Sequence, residues 1–258
     1  MLLAIDIGNT NMEFGVYKSD KLIAQFRIGT NREITSDEVG LFMSQFFLIQ
    51  KINLADIKDV IITSVVPQVM YSVNNAMRKY LKIKPLVVGE NIFVDIQNKY
   101  DNPKEVGSDR LVNSFGAYKK YGGDLIVVDF GTATTFDVVA SHGEYLGGVI
   151  FPGIKISMDA LFKNASKLPK IELAMPKKAI GTTTVGSMQA GAINGYVGVV
   201  KNIVDGINNE LNKKMGVIAT GGLAKLIGSQ YDFKAIDRSL TLDSLFLIYK
   251  DKIITQEK

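Results

Sequence analysis

The chain opens on a continuous apolar run, residues 2–5, closed by Asp6 and a glycine-centred turn. An alternating stretch with Phe14, Val16 and Tyr17 follows. This reads as a hairpin, with 21–28 as a third strand. Ser36 and Asp37 stand where they can cap a helix with apolar positions Val39, Leu41, Phe42, Phe46 and Phe47. Residues 60–66 form a buried-strand run stopped by Pro67. A helix with Met70, Val73, Met77 and Leu81 on one face comes next, then a strand at 85–88. Residues 89–124 connect this half to the next, with a turn at 100–103 and a helix that begins near Ser108 or Asp109, continues to Tyr121 and ends at Gly122 and Gly123. The strand pattern then restarts at 125–130, 134–140 and 145–151. Helices at 155–164 and 187–213, a strand at 216–219 and a final helix after Gly222 complete the reading, with 251–258 as a charged, frayed tail.

The restart is a repeat. Leu-Leu-Ala-Ile-Asp-Ile-Gly-Asn-Thr at 2–10 is written again as Leu-Ile-Val-Val-Asp-Phe-Gly-Thr-Ala at 125–133. Each copy is an apolar strand ending in Asp, then an apolar residue, Gly and small side chains, and each leads into a β-branched stretch. The expectation is an α/β protein of two similar halves, 1–115 and 116–258, facing each other across a cleft. Two turns carrying a carboxylate and closely spaced backbone N–H groups point to a nucleotide-using enzyme.

Composition narrows the chemistry. The 258 residues are 47 % hydrophobic and 22 % charged with only six prolines, so a sizeable core is available. The net charge is +4, but the basic residues come as singlets and pairs, which fits small anionic ligands rather than nucleic acid. Cysteine is absent and His142 is the only histidine. Thiolate metal sites, cysteine nucleophiles and serine–histidine triads are therefore set aside. Acid–base work falls to carboxylates, and any metal is a hard cation held by oxygen. The sequence shows no positively charged leader and no apolar window of the roughly 18 residues a membrane span needs, so a cytoplasmic location is expected.

Several motifs carry candidate chemistry. At 6–10, Gly8 lets a phosphate approach the backbone, Asn9, Thr10 and Asn11 offer polar donors, and Asp6 can hold Mg²⁺. At 129–135, three threonines beside Asp129 supply oxygens for a cation and donors for a phosphate. Asp109, at a helix start, serves either as an N-cap or as the carboxylate that accepts a hydroxyl proton, and Arg110 can pair with a substrate carboxylate. Thr220-Gly221-Gly222 is a strand–glycine–helix junction fit for a flat ligand or simply a tight turn. Neither a Gly-x-x-x-x-Gly-Lys-Ser/Thr loop nor a Gly-x-Gly-x-x-Gly fingerprint occurs.

This ordered set resembles the type III pantothenate kinases of the acetate and sugar kinase/Hsc70/actin superfamily. The match runs over nearly the whole chain: Asp-x-Gly-Asn-Thr at 6–10, Gly-x-Asp-Arg at 107–110, Asp-Phe-Gly-Thr-Ala-Thr-Thr at 129–135, Gly-Gly at 147–148, Pro-Gly at 152–153, Thr-x-x-x-Met-Gln-x-Gly at 184–191 and Thr-Gly-Gly at 220–222. The resemblance implies two ribonuclease H-like (actin-like ATPase) domains with an interdomain cleft. It also implies ATP-dependent phosphorylation of pantothenate to 4′-phosphopantothenate, the first step of coenzyme A biosynthesis. By position, Asp6, Ile7, Gly8, Asn9, Thr10, Asn11, Met12 and Glu13 would line the ATP phosphates and Mg²⁺, with Thr132 also on ATP. Tyr100, Gly107, Ser108, Asp109, Arg110 and Thr184 would bind pantothenate, with Asp109 the proton acceptor. Asp129 would hold a monovalent cation, K⁺ or NH₄⁺. A homodimer is implied, in which Thr184 reaches a neighbouring subunit's pocket. Two departures stand out: Ser108 where the family has alanine, and Thr183 where it often has asparagine.

Overall fold

The structure is a computed structural model and describes residues 1–256. In chain order its elements are β1 (Leu2–Ile7), β2 (Asn11–Lys18), β3 (Lys21–Gly29), α1 (Ser36–Ile49), β4 (Asp59–Ser64), α2 (Pro67–Ala76), β5 (Leu86–Val87), β6 (Gln97–Asn98) and α3 (Ser108–Tyr121). The second half runs β7 (Leu125–Phe130), β8 (Ala133–Ala140), β9 (Glu144–Pro152), α4 (Ile154–Asn164), α5 (Thr184–Leu211), β10 (Gly216–Thr220), α6 (Ala224–Ile227), β11 (Ala235–Ile236) and α7 (Leu240–Gln256).

The internal repeat extends to the sheets. The first has strand order β3-β2-β1-β4-β5 and the second β11-β10-β7-β8-β9-β6. In each, the opening strand is antiparallel to its hairpin partner and parallel to the later strand on its other side. Even the irregularity is copied: the register slips between Val16 and Tyr17 in β2, and between Val138 and Val139 in β8. The burial of β1 and β7 follows the same sequence, with only the aspartate half-exposed among buried neighbours. Strands covered on both faces explain why these runs are apolar throughout rather than alternating.

The chain divides into two compact units, and the boundary is not the one expected. One unit is Met1–Gln97, Asp101–Lys119 and the segment from Ser239 onward; the other is Asn98–Tyr100 with Lys120–Arg238. A split at residue 115 fails because α7 returns to the first unit. Its Leu242, Leu245 and Ile248 pack with Leu2, Ala4, Tyr17, Ile61, Val112 and Phe115. Burying a leucine or isoleucine of this kind contributes about 1.5–3 kcal/mol. The Tyr17 hydroxyl donates to Asp243 Oδ1 at 2.6 Å, the Tyr249 hydroxyl donates to Asp59, and Lys250 pairs with Asp20 at 2.9 Å.

Local differences have simple causes. Thr35, not Ser36 or Asp37, caps α1, because its hydroxyl accepts from the Glu38 N–H while the Glu38 side chain reaches back to the Thr35 N–H. Pro67 ends no strand; it opens α2 in the first-turn position, where a missing N–H costs nothing. The buried face of α2 is Val69, Val73 and Ala76, with Met77 in the following turn and Met70 only half-buried. The helix after Gly222 is a single turn, and residues 251–256 continue α7 instead of fraying; the remaining two lie outside the described residues.

Helices α3 and α7 approach closely at Gly116. A Cβ at Gly116 would lie 1.7 Å from Ser244 Oγ and 3.0 Å from its Cα. Gly116→Ala is therefore expected to cost about 1–3 kcal/mol by overpacking, seen as a lower midpoint in urea. An unchanged midpoint would refute the close approach of these helices.

Candidate active site

In the first unit the candidate residues lie at the carboxyl ends of β1 and β4 and at the start of α3. Asp6 is half-buried on β1, in register with Glu13 of β2 and Thr63 of β4. The turn after it is held from both sides. Gly8 N–H donates to Asn11 O at 3.0 Å, Thr30 Oγ1 donates to Gly8 O at 2.7 Å, and Thr30 N–H donates to Thr10 O at 2.9 Å. Asn9 and Thr10 are left exposed at the tip. The side chains of Ile7 and Met12 are fully buried in the core, so these two offer a ligand only their backbone. Glu13 is ion-paired with Arg27 and accepts from Gln25.

The start of α3 is built around Asp109. Its Oδ1 accepts the Arg110 backbone N–H at 2.8 Å, and a Cβ at Gly107 would lie only 2.6 Å from the same oxygen. Glycine at 107 is thus a condition for this carboxylate's position. Burial pushes the Asp109 carboxyl above the usual carboxylate range, only partly offset by the Arg110 N–H and guanidinium. Arg110 itself is buried. The Ser108 hydroxyl turns inward, accepting from Thr63 Oγ1 at 2.9 Å and donating to Ser64 O at 3.1 Å. Its expected contact with substrate is therefore limited to what the backbone offers.

In the second unit the Asp129 carboxylate sits among glycines. Asp129 registers with Thr135 and Thr220. Its Oδ1 would lie 2.4 Å from a Cβ at Gly221, a residue with φ of +88°, and 3.7 Å from one at Gly131. Gly153, just before α4, is as confined: a Cβ there would meet Thr132 O at 2.2 Å and Gly131 O at 2.8 Å. Thr132 is exposed at the tip of this turn. A carboxylate at a glycine-lined turn, with threonines in register on both neighbouring strands, is a candidate donor for a weakly held hard cation. Among the described residues no three histidine, aspartate or glutamate side chains converge, so Mg²⁺ would need phosphate oxygens to complete its shell.

The other expected residues lie apart from that turn. The half-buried Tyr100 ring covers Gly147, 3.7 Å from where its Cβ would stand. Thr184 is the first residue of α5, exposed beside the capping Thr183, in an open pocket of about 770 Å³ that also involves Met158, Leu161 and Met188. Sequence reasoning missed Thr30 and Thr63. The signal for Thr63 was a hydroxyl near the end of an otherwise apolar strand, at the place Thr220 occupies in the second copy.

A family model described as type III pantothenate kinase matches residues 2–206. Among solved structures, the chain is similar to a Campylobacter jejuni protein provisionally described as a Baf family transcriptional activator, at 19 % identity and TM-score 0.62, covering 97 % of this chain and 98 % of that one. It is also similar to a Sinorhizobium meliloti protein provisionally described as a 2-dehydro-3-deoxygalactonokinase, at 11 % identity and TM-score 0.61, covering 97 % and 96 %. A third is the activator of 2-hydroxyisocaproyl-CoA dehydratase from Clostridium difficile with bound ADPNP, at 10 % identity and TM-score 0.55, covering 100 % and 97 %. At these identities the likeness is one of fold, and the fold is the paired ribonuclease H-like arrangement of actin-like ATPases and sugar kinases.

The Asp109 environment has a thermodynamic signature. A carboxyl with a raised folded pKa contributes stability below its unfolded value of 3.8 and loses it as pH rises through the folded value. Asp109→Asn is therefore expected to melt a few degrees higher than the parent at pH 7, with the gap closing in acid. Calorimetry across that range reads the difference, and a variant less stable at pH 7 would contradict the desolvated carboxylate.

Proposed function

The chain belongs to the type III pantothenate kinase family, and on that premise we propose that it transfers the γ-phosphoryl group of ATP to the terminal hydroxyl of pantothenate, giving 4′-phosphopantothenate and ADP. The observation that carries this reading is the Asp109 carboxylate, fixed by Gly107 and the Arg110 N–H and raised in pKa by burial. A carboxylate of raised pKa is the better acceptor for a hydroxyl proton.

In the proposed reaction the pantothenate hydroxyl oxygen forms a bond to the γ-phosphorus, the bond from that phosphorus to the β–γ bridging oxygen breaks, and ADP leaves. Asp109 orients the hydroxyl and takes its proton late, since phosphoryl transfer rests chiefly on positioning and electrostatics. Arg110 pairs with the pantothenate carboxylate. The turn after β1, held by Thr30, offers backbone N–H groups and the Asn9 and Thr10 side chains to the phosphates. When bound, Mg²⁺ neutralises charge on the β- and γ-phosphate oxygens. Asp6 would supply it one carboxylate, and Asp129 would hold K⁺ or NH₄⁺. Thr132 contacts ATP, while Tyr100 walls the pantothenate site.

The same reading includes a cytoplasmic homodimer. Exposed Ile156, Leu161, Phe162, Ile180 and Val185 lie in the second unit, and Leu161 also lines the pocket beside Thr184, which supports an interface there. No described helix is long and apolar enough to cross a membrane.

The deciding assay is ADP release with Mg·ATP and K⁺, with and without pantothenate, and with phosphopantothenate followed by mass spectrometry. Stimulation by pantothenate is expected; a folded dimeric protein that ignores pantothenate would remove the substrate assignment. Asp109→Asn is expected to lose about 10²–10⁴-fold in kcat while still binding ATP, as a general-base deletion does. Replacing K⁺ by Na⁺ is expected to lower turnover, and indifference to the ion would argue against a cation at Asp129.

A further inference from the structure

One buried carboxylate has no part in the chemistry above. Asp137 lies in the middle of β8 with no solvent exposure, facing Val127 of β7 and Gly148 of β9. The equivalent position in the first sheet, opposite Ala4, is Gly15, so the repeated architecture does not require an acid there. Burying a carboxylate in a strand is costly, and a fold that retains one must engage it with donors. Tyr145, itself fully buried, donates its hydroxyl to Asp137 Oδ1 at 2.9 Å, and Thr135 Oγ1 donates to Oδ2 at 3.2 Å. Thr135 is the register partner of Asp129.

The partner tyrosine leads on to a second site residue. The Tyr145 ring packs against Tyr100, with centroids 6.4 Å apart, and the Tyr145 carbonyl accepts the Lys99 N–H at 2.8 Å. Lys99 also pairs with Glu144 at 3.1 Å. The Tyr100 ring then covers Gly147, whose φ of +129° and closeness to the ring both favour glycine. All of these residues belong to the second unit.

We propose that Asp137 and Tyr145 are positioning residues for the acceptor subsite: Asp137 anchors the Tyr145 hydroxyl, and Tyr145 seats residues 99 and 100 so that the Tyr100 ring is fixed over Gly147. The substrate side of this inference rests on the reading of Tyr100 as a wall of the pantothenate site. The seating itself does not. Through Thr135 the same carboxylate also braces the strand beside Asp129, so one buried group steadies two parts of the site.

The experiment uses full-length Tyr145→Phe, Tyr100→Ala, the double variant and Asp137→Asn. Amide exchange over residues 97–101 is expected to quicken several-fold in Tyr145→Phe; parent-like exchange overturns the seating. In the kinase assay Tyr145→Phe is expected to raise KM for pantothenate about fivefold with kcat and the KM for ATP little changed, and to add almost nothing in the Tyr100→Ala background. Full additivity, or an unchanged KM in an active enzyme, overturns the link to substrate. Should the parent turn over no pantothenate, the proposed function fails, and the exchange data still decide whether Tyr145 seats Tyr100. Tyr145→Phe removes one hydroxyl from a packed ring, so it carries the test even where Asp137→Asn does not fold.

Discussion

Everything in each unit is hung on one strand that is hydrogen-bonded along both edges, antiparallel to its hairpin partner and parallel to a later strand. β1 and β7 fill that place. β1 and β7 are apolar along their enclosed length and carry their one charge near the carboxyl end, where the sheet gives way to a turn. Asp6 and Asp129 stand there, each with a threonine beside it on the parallel neighbour. The glycines that follow are then a steric consequence, since the chain must reverse within reach of the carboxylate. Gly221 shows it most directly, as its backbone lies against Asp129 where any side chain would collide.

The two units use this common plan unequally. In the first, the turn is braced by a threonine hydroxyl and the adjacent strand end is tied by Thr63 and Ser108 to the helix that carries Asp109. The Ser108 hydroxyl thus has a local role in holding the helix start. In the second, the corresponding turn is braced by close backbone packing at Gly153, and the polar side chains are displaced one strand over, to Thr135 and Asp137. The repeated architecture thus holds different side chains around its two carboxylate-bearing turns.

Much of this was legible because it was written twice. The apolar run, aspartate and glycine at 2–10 and 125–133 identify the hairpins without any appeal to distant contacts, and the helix near Ser108 announces itself by its start residues and by the glycine pair that ends it. What escaped was whatever depends on residues far apart in the chain. Thr30 reaches its turn across more than twenty residues, and Thr63 meets Ser108 across 45. Asp137, though only 8 positions from Tyr145, reads as one more strand position until the pairing of β8 with β9 brings the two together. Short edge strands such as β6 and β11, two residues each, have too few positions to show any alternation. The unit boundary failed for the same reason, since nothing local in 239–256 tells which sheet it will cover.

That last helix has a consequence for how the molecule is made. The face of the first sheet formed by Leu2, Ala4, Tyr17 and Ile61 is covered by α7, whose residues emerge from the ribosome only after the entire second unit. The first sheet must wait, with apolar surface open, for a helix made after the second unit, while the second unit has nearly all of its chain in one continuous stretch. Completion of the first unit therefore runs against the order of translation, and its open apolar face needs protection until α7 is made.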